Sequence, residues 1–338
     1  MHGLNTALSG ALLVIVGGVF MGSFTVPMKF TRHWAWENTW LIYAIVGLAC
    51  IPLALALATV PHLITVYEAA EPKAVDLAVL FGMGWGVGSV LLGIGVDKLG
   101  VSLGFGIIIG LTAALGSLVP LVVQVPEAFV TMRGIAVLAG LGIVICGIVL
   151  CARAGSIKSD SAHRQKHARY GTGLLICIGA GVFSSMLNLA FAFGAPVAEV
   201  AIANGATRSA AQNAIWALAA GAGSLPNMAY TLLLLSRNKT WNRFRAAGSH
   251  RSLLLATAMG ILWMAGILIY GAGAAVLGNW GPIIGWPLFM TMIIITGNLW
   301  GQLTREWKHA PLAAVRLNWA GVAMLIAAII VIGFGGAA

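Results

Sequence analysis

The sequence predicts an all-α integral membrane protein whose ten transmembrane helices form two five-helix inverted repeats. Three observations lead to this fold class: the hydropathy of the chain, the positions of its basic residues and a weak internal repeat. Of the 338 residues, 60% are hydrophobic and 8% are charged, and the mean hydropathy is +0.96. A soluble core does not need this composition, whereas a helix that crosses a bilayer needs about 20 consecutive apolar residues.

Ten stretches of the chain have the length and character of membrane spans. The nine connections between them are short, so no soluble domain fits there. We number the connections in chain order and call them odd (1, 3, 5, 7 and 9) or even (2, 4, 6 and 8). The predicted spans are 6–28, 38–60, 77–96, 100–123, 134–152, 171–193, 209–236, 252–276, 283–303 and 317–336.

The basic residues alternate from one connection to the next. Sixteen of the 19 lysines and arginines lie in the odd connections and three in the even ones. The positive-inside rule then predicts a bacterial inner-membrane protein with cytoplasmic odd connections and both termini in the periplasm. A missed helix would break this alternation, so the count also supports ten spans. The formal charge of +10 belongs to these loops, which indicates lipid as a partner and not nucleic acid.

An internal repeat relates the two halves of the chain. The motif GVF at residues 18–20 of span 1 recurs at residues 181–183 of span 6. Trp85 of span 3 matches Trp263 of span 8, and spans 5 and 10 share a third set of matches, each set at one fixed offset. An odd number of helices makes the second unit enter the membrane from the opposite side. This arrangement is typical of secondary transporters that bind substrate near the midplane.

The predicted repeats are residues 1–155 and 156–338, which together form one membrane domain. All four cysteines lie within predicted helices and are interpreted as small apolar residues, not as metal ligands. The chain has no nucleotide-binding loop of the GxxxxGK type, so we expect neither ATP-driven transport nor a cofactor. A membrane enzyme is the weaker hypothesis, because the sequence shows no cluster of His, Asp and Glu at one membrane face.

Several motifs resemble one family of transporters over nearly the whole chain. They are residues 24–29 (FTVPMK), 33–40 (HWAWENTW), 81–88 (FGMGWGVG), 153–155 (RAG) and 305–307 (REW). These stretches are similar to the L-rhamnose–proton symporter family of the drug/metabolite transporter superfamily. The resemblance implies import of a sugar, L-rhamnose or a related deoxysugar, together with protons and by alternating access.

The chain departs from the family pattern at three positions. Ser89, Gly266 and Phe289 stand where the family has the polar residues Asn, Gln and His. These positions are plausible sugar contacts, so the departures leave the fold intact but keep the substrate open. The alternatives are a carrier of another sugar or small metabolite with the same fold, and an uncoupled facilitator.

Candidate sugar contacts are polar and aromatic side chains deep in the predicted spans, because a sugar offers hydroxyls and apolar C–H faces. For each amide the alternative is hydrogen bonding between helices, and for each ring it is packing. Tyr270 lies seven residues beyond Trp263, nearly two turns, so we expect both rings to form a stacking surface with Trp85. The predicted substrate-binding residues are Trp85, Ser89, Asn188, Asn227, Trp263, Tyr270, Trp286 and Asn298.

A proton-coupled carrier usually has an ionisable group within the membrane, but no acidic residue lies at the centre of a predicted span. The candidate for proton coupling is Glu37, which lies at the start of span 2, beside Trp36 and Lys29. It matches the family motif. The alternative for Glu37 is a helix-terminal charge with an ion pair. Glu199, in connection 6, is the second candidate. Trp40 and seven other tryptophans near span ends are interpreted as interfacial anchors.

Overall fold

The computed structural model describes residues 2–99, 101–160 and 170–337. In these segments ten helices are long and apolar enough to cross a membrane, which confirms the ten predicted spans. Three basic residues of connection 5, at positions 164, 166 and 169, lie outside the described residues. The helices are α1 (His2–Ser23), α2 (Trp36–Thr59), α3 (Pro72–Leu99), α4 (Val101–Gln124), α5 (Met132–Asp160), α6 (Tyr170–Phe193), α7 (Arg208–Arg237), α8 (Ser249–Val276), α9 (Trp286–Leu303) and α10 (Leu312–Ala337).

Helices dominate because a bilayer offers no water to backbone N–H and C=O groups, so each segment must satisfy them internally. Two segments depart from regular α-helix. A π-helical turn, Ala44–Cys50, interrupts α2, and another, Gly281–Gly285, leads into α9. Short helices lie in two even connections, Leu63–Ala69 in connection 2 and Ala195–Ala203 in connection 6.

Glycines let the central helices pack backbone against backbone. A Cβ atom on Gly82 of α3 would lie 2.3 Å from the carbonyl oxygen of Ala219 in α7. A Cβ atom on Gly47 of α2 would lie 2.6 Å from Cα of Gly260 in α8. Small residues permit such contacts between membrane helices, and here they bring α3 against α7 and α8 against α2.

Contacts between connections show which of them lie at the same end of the bundle. Lys29 of connection 1 forms an ion pair with Glu306 of connection 9. At the other end, the guanidinium of Arg133 at the start of α5 lies 4.2 Å from the ring centroid of Trp280 in connection 8. We refer to these two ends of the molecule as the odd end and the even end.

Candidate functional site

Two tryptophans stack on each other where α3 and α8 face each other at mid-length. Trp85 lies at the middle of α3 and Trp263 at the middle of α8. Their ring centroids are 5.3 Å apart and their planes are inclined by 29°. A sugar does not fit between rings at that distance. Trp263 is buried whereas Trp85 is half-buried, so the accessible part of the pair belongs to Trp85.

Asn227 of α7 links the helices around this pair. Its side-chain oxygen accepts hydrogen bonds from Ser89 Oγ of α3 and from Trp40 Nε1 of α2, both at 3.0 Å. Its amide nitrogen donates to the carbonyl oxygen of Gly223 at 3.0 Å. The structure therefore brings four of the predicted sugar contacts together: Trp85, Ser89, Asn227 and Trp263.

Two aromatic residues of α2 complete this site, and the sequence analysis missed both. Trp40, interpreted as an interfacial anchor, bonds to Asn227 instead. The ring of Tyr43 meets Trp263 edge-on, with centroids 6.4 Å apart. Trp40 and Tyr43 are three residues apart and therefore share one face of α2, a spacing that could have indicated their joint role. We name this set the midplane cluster: Trp40, Tyr43, Trp85, Ser89, Asn227 and Trp263.

Tyr270 belongs to a second layer of rings, closer to the even end. Its ring centroid lies 4.7 Å from that of Phe289, 5.6 Å from that of Trp286 and 5.7 Å from that of Phe191. Seven residues of α-helix rise about 10 Å, which separates Tyr270 from Trp263 although both face the interior. The expected three-ring surface is thus divided between two levels. We name the second set the ring layer: Phe191, Trp216, Tyr270, Trp286 and Phe289.

Asn188 of α6 ties the ring layer to the surrounding backbone. Its amide nitrogen donates to the carbonyl oxygens of Gly116 at 2.7 Å and of Pro282 at 2.9 Å, and its oxygen accepts from the Tyr270 hydroxyl. Both amide hydrogens and the oxygen are thus used, and Asn188 is fully buried. A sugar would have to replace these bonds to reach it.

The two remaining predicted contacts bond to main-chain carbonyls. Trp286 Nε1 donates to Thr112 at 2.9 Å, so Trp286 is part of the same buried layer. Asn298 Nδ2 donates to Ile294 of its own helix at 3.0 Å. Among the described residues Asn298 has no hydrogen bond with the midplane cluster or the ring layer.

The structure shows what surrounds the three positions at which the sequence was expected to depart from the family pattern. Phe289 fills part of the ring layer with a buried apolar ring. A Cβ atom on Gly266 would lie 2.9 Å from the backbone nitrogen of Met21, so a polar side chain there would push α1 and α8 apart. Ser89 donates a hydrogen bond to Asn227.

Glu37 lies at the odd end, at the start of α2. Its carboxylate oxygen Oε1 accepts hydrogen bonds from Thr240 Oγ1 at 2.7 Å and Asn238 Nδ2 at 3.1 Å. Glu37 is only 5% exposed. Lys29, its expected ion-pair partner, bonds to Glu306 instead. The carboxylate thus joins connection 1 to connection 7 through neutral donors.

Glu306, also at the odd end, is a carboxylate in an ion pair with Lys29. Partial burial opposes its ionisation, but the hydrogen bond and charge of Lys29 outweigh this, with a further contribution from Lys158, and hold the pKa of Glu306 below its usual range. A lowered pKa means that the pair stabilises the fold at neutral pH and loses its effect as the pH falls through that pKa. In the described part of the chain no group of His, Cys, Asp and Glu could hold a metal ion.

A cavity of about 410 Å³ opens at the even end, on the far side of the molecule from these carboxylates. Glu199, the second proton candidate, lines it. At the odd end, connections 1 and 7 close on each other: Trp34 Nε1 donates to Ser249 Oγ at 3.0 Å, and Ser252 Oγ donates to the carbonyl of Arg32 at 3.1 Å. The described residues thus form a cavity at the even end, whereas at the odd end connections 1 and 7 are bonded to each other.

Comparison with known proteins places the chain among transporters. A family model described as L-rhamnose-proton symport protein (RhaT) matches residues 4–338. The L-rhamnose-proton symporter of Cronobacter sakazakii is 27% identical, covering 98% of each chain. The L-rhamnose-proton symporter of Klebsiella pneumoniae is 26% identical over 98% of this chain and 99% of its own length. That of Escherichia coli is 25% identical over 98% of each chain.

The match extends over nearly all of the chain and includes all ten spans. It includes every member of the midplane cluster and the ring layer. The chain is thus a multi-pass membrane transporter and not an enzyme, and it belongs to the L-rhamnose-proton symport protein family.

Proposed function

We propose that this protein imports L-rhamnose across the bacterial inner membrane by proton symport. The observation that carries the proposal is the stacked pair Trp85–Trp263 at mid-length of α3 and α8. Aromatic rings bind the apolar faces of sugars while neighbouring polar groups orient the hydroxyls. The full-length relation to proteins named L-rhamnose-proton symporter supports the sugar and the coupling ion.

We place the sugar on the accessible part of Trp85, with Ser89 and Asn227 as its hydrogen-bonding partners. Trp85, Ser89 and Trp40 are half-buried, whereas Asn188, Tyr270 and Trp286 are fully buried. A ligand reaches half-buried groups at less cost. In this proposal, Asn188, Tyr270 and Trp286 contact the sugar only after the ring layer has opened, and Asn298 remains a predicted contact.

The two halves, residues 1–155 and 156–338, function in this proposal as inverted repeats. Support comes from glycine contacts that occur in pairs. Gly88 of α3 lies against Ser184 of α6, and Gly266 of α8 lies against Met21 of α1. Gly266 corresponds to Gly88 at the offset that relates spans 3 and 8. Ser184 corresponds to Met21 at the offset that relates spans 1 and 6. A transporter built from such halves exposes a central site alternately on either side as they rock.

The structure resembles the outward-facing state that this cycle requires. We assign the even end, with its cavity, to the periplasm and the odd end, where connections 1 and 7 meet, to the cytoplasm. This assignment agrees with the excess of basic residues in the odd connections. Both termini then lie in the periplasm.

Glu37 is the proposed proton carrier. The side chains that bond to Glu37 are neutral, and the nearby charge of Arg243 favours its ionised form, so proton uptake by Glu37 has to overcome both. Protonation would weaken the bonds that Glu37 accepts from Thr240 and Asn238. These bonds join the first half of the chain to the second, so proton binding would loosen the cytoplasmic closure.

The test is uptake of labelled L-rhamnose into proteoliposomes of the purified protein, with and without an inward proton gradient. Accumulation above the equilibrium level only with the gradient is the expected result. Equilibration without accumulation would replace symport by facilitated diffusion. No uptake of L-rhamnose, but uptake of another sugar from a panel, would show that the changes at Gly266 and Phe289 have altered the substrate.

A further inference from the structure

The cavity at the even end has the size of a small-molecule site. Its volume of about 410 Å³ lies within the range of roughly 300–1,000 Å³ that is typical of ligand pockets. Phe191 belongs both to its lining and to the ring layer. No member of the midplane cluster lines it, so the cavity is distinct from the sugar site proposed at Trp85.

Two glutamine side chains line this cavity with unused acceptors. Gln124 Nε2 donates to the carbonyl of Ala192 at 3.0 Å, and Gln212 Nε2 donates to that of Arg208 at 3.4 Å. Within the described segments, the side-chain oxygen of neither glutamine accepts a hydrogen bond. Gln212 is 8% exposed, and neither glutamine oxygen is among the buried side-chain atoms that lack a partner, so both oxygens are accessible. Both oxygens can therefore accept from a ligand.

Charged and amide groups of the cavity are also available. Glu199 and Arg208 both line it, yet the described residues include no ion pair between them. Asn279 lines it from connection 8. A site that offers a carboxylate, a guanidinium and amides together suits a neutral molecule whose hydroxyls both donate and accept. An anion would meet the carboxylate and a cation the guanidinium.

We infer that the even-end cavity is a first binding site for the sugar, occupied before the sugar passes the ring layer to the midplane cluster. Phe191 supplies an apolar surface for the C–H face of the ring. Gln124, Gln212, Glu199 and Asn279 bind its hydroxyls. This inference rests on the proposed function, because it takes the transported sugar as the ligand.

A cysteine at the cavity tests the inference by protection from a thiol reagent. Ala195 is exposed and lines the cavity, so Ala195→Cys should react with a membrane-impermeant maleimide added to intact cells that cannot metabolise L-rhamnose. Labelling should slow about tenfold at L-rhamnose concentrations ten times the dissociation constant, because only about a tenth of the sites then remain empty. Thr65→Cys, exposed in connection 2 outside the cavity, is the control whose labelling should not change.

Two further variants separate direct protection from a change of conformation. In Ala195→Cys combined with Trp85→Ala, which weakens the midplane site, protection should persist. Its disappearance would show that the sugar acts through the midplane site and would overturn the inference. Ala195→Cys with Gln212→Leu should need roughly three- to tenfold more sugar for the same protection, as expected for one lost hydrogen bond. Gln302→Leu, the matched change at the odd end, should have no effect.

Failure of the first site and failure of the proposed function are distinguishable in the same cells. Uptake of L-rhamnose without protection of Ala195→Cys would reject the first binding site and leave the symporter assignment standing. The absence of both uptake and protection would contradict both.

Discussion

At the residue scale, the structure distinguishes groups that are available to a sugar from groups that already have partners. Asn188 uses both amide hydrogens and its oxygen on protein groups. Trp85 and Ser89 are half-buried, and a sugar hydroxyl can replace the single bond that Ser89 donates to Asn227. The midplane cluster is therefore the better candidate for binding, and in the proposed cycle the ring layer has to open before a sugar reaches Asn188.

Replacement of Trp85 should weaken sugar binding more than replacement of Trp263. Trp85→Ala removes the accessible ring, whereas Trp263→Ala removes only its support. With about 0.5–1.5 kcal/mol for an aromatic contact beyond area burial, we expect roughly two- to tenfold weaker binding for Trp85→Ala. Equilibrium binding of labelled L-rhamnose to purified protein measures this. Trp319→Ala, which truncates a ring that is 47% exposed, is the control, and unchanged affinity in both test variants would reject the stacking role.

Glu37→Gln should abolish gradient-driven accumulation while it preserves exchange of sugar across the membrane. The glutamine oxygen can still accept from Thr240 and Asn238, so the closure at the odd end keeps its hydrogen bonds, but the side chain can no longer take up a proton. Counterflow and gradient-driven uptake in the same proteoliposomes measure the two activities. If accumulation survives in Glu37→Gln, the carboxylate is structural and the coupling group lies elsewhere.

Part of this site could be predicted from the sequence. Four of its residues lie near the middle of apolar stretches, which the hydropathy of the sequence locates: Trp85, Trp263, Ser89 and Asn227. The prediction that Tyr270 shares this surface rests on helical periodicity, which shows that two residues lie on the same face of a helix. Periodicity does not show at which height along the helix the rings of neighbouring helices lie. Trp40 was missed because its position near a span end indicated an anchor, while its hydrogen bond to Asn227 depends on tertiary packing.

At the element scale, backbone contacts at glycines set the distances between helices. Gly82 faces Ala219 so closely that a methyl group has no room, whereas a Cβ atom on Gly93 of the same helix would meet nothing within 4 Å. The sequence showed many glycines in the spans but not which of them lie at contacts. Which glycines lie at contacts depends on the rotation of each helix about its own axis.

Gly82→Ala should destabilise the protein and Gly93→Ala should not. Overpacking of a tight contact costs about 1–3 kcal/mol, since α3 and α7 would have to separate. At Gly93 the added methyl is free of clashes, and alanine favours helix by roughly 0.5–1 kcal/mol. Thermal unfolding of the two purified variants in detergent measures the difference. A Gly82→Ala variant as stable as Gly93→Ala would contradict the packing described for α3 and α7.

At the scale of the whole molecule, the number and order of the helices were predictable because the bilayer imposes one requirement on every span. The ten predicted stretches correspond to ten helices, with ends that differ by several residues. Several helices extend further than hydropathy indicated, as with α3, which begins at Pro72. Charged residues near the span ends remain in the helix, because their long side chains extend to the polar interface of the membrane. The cavity at the even end and the contact between connections 1 and 7 at the odd end depend on side-chain packing and could not be predicted.

Proton movement that accompanies the sugar tests the central claim most directly. Purified protein in weakly buffered proteoliposomes, with no imposed gradient, is given an outside excess of L-rhamnose while the external pH is recorded. The account predicts that the external pH rises as protons enter with the sugar, that a non-transported sugar has no such effect, and that Glu37→Gln abolishes the rise. Entry of L-rhamnose with no change in external pH would contradict proton symport.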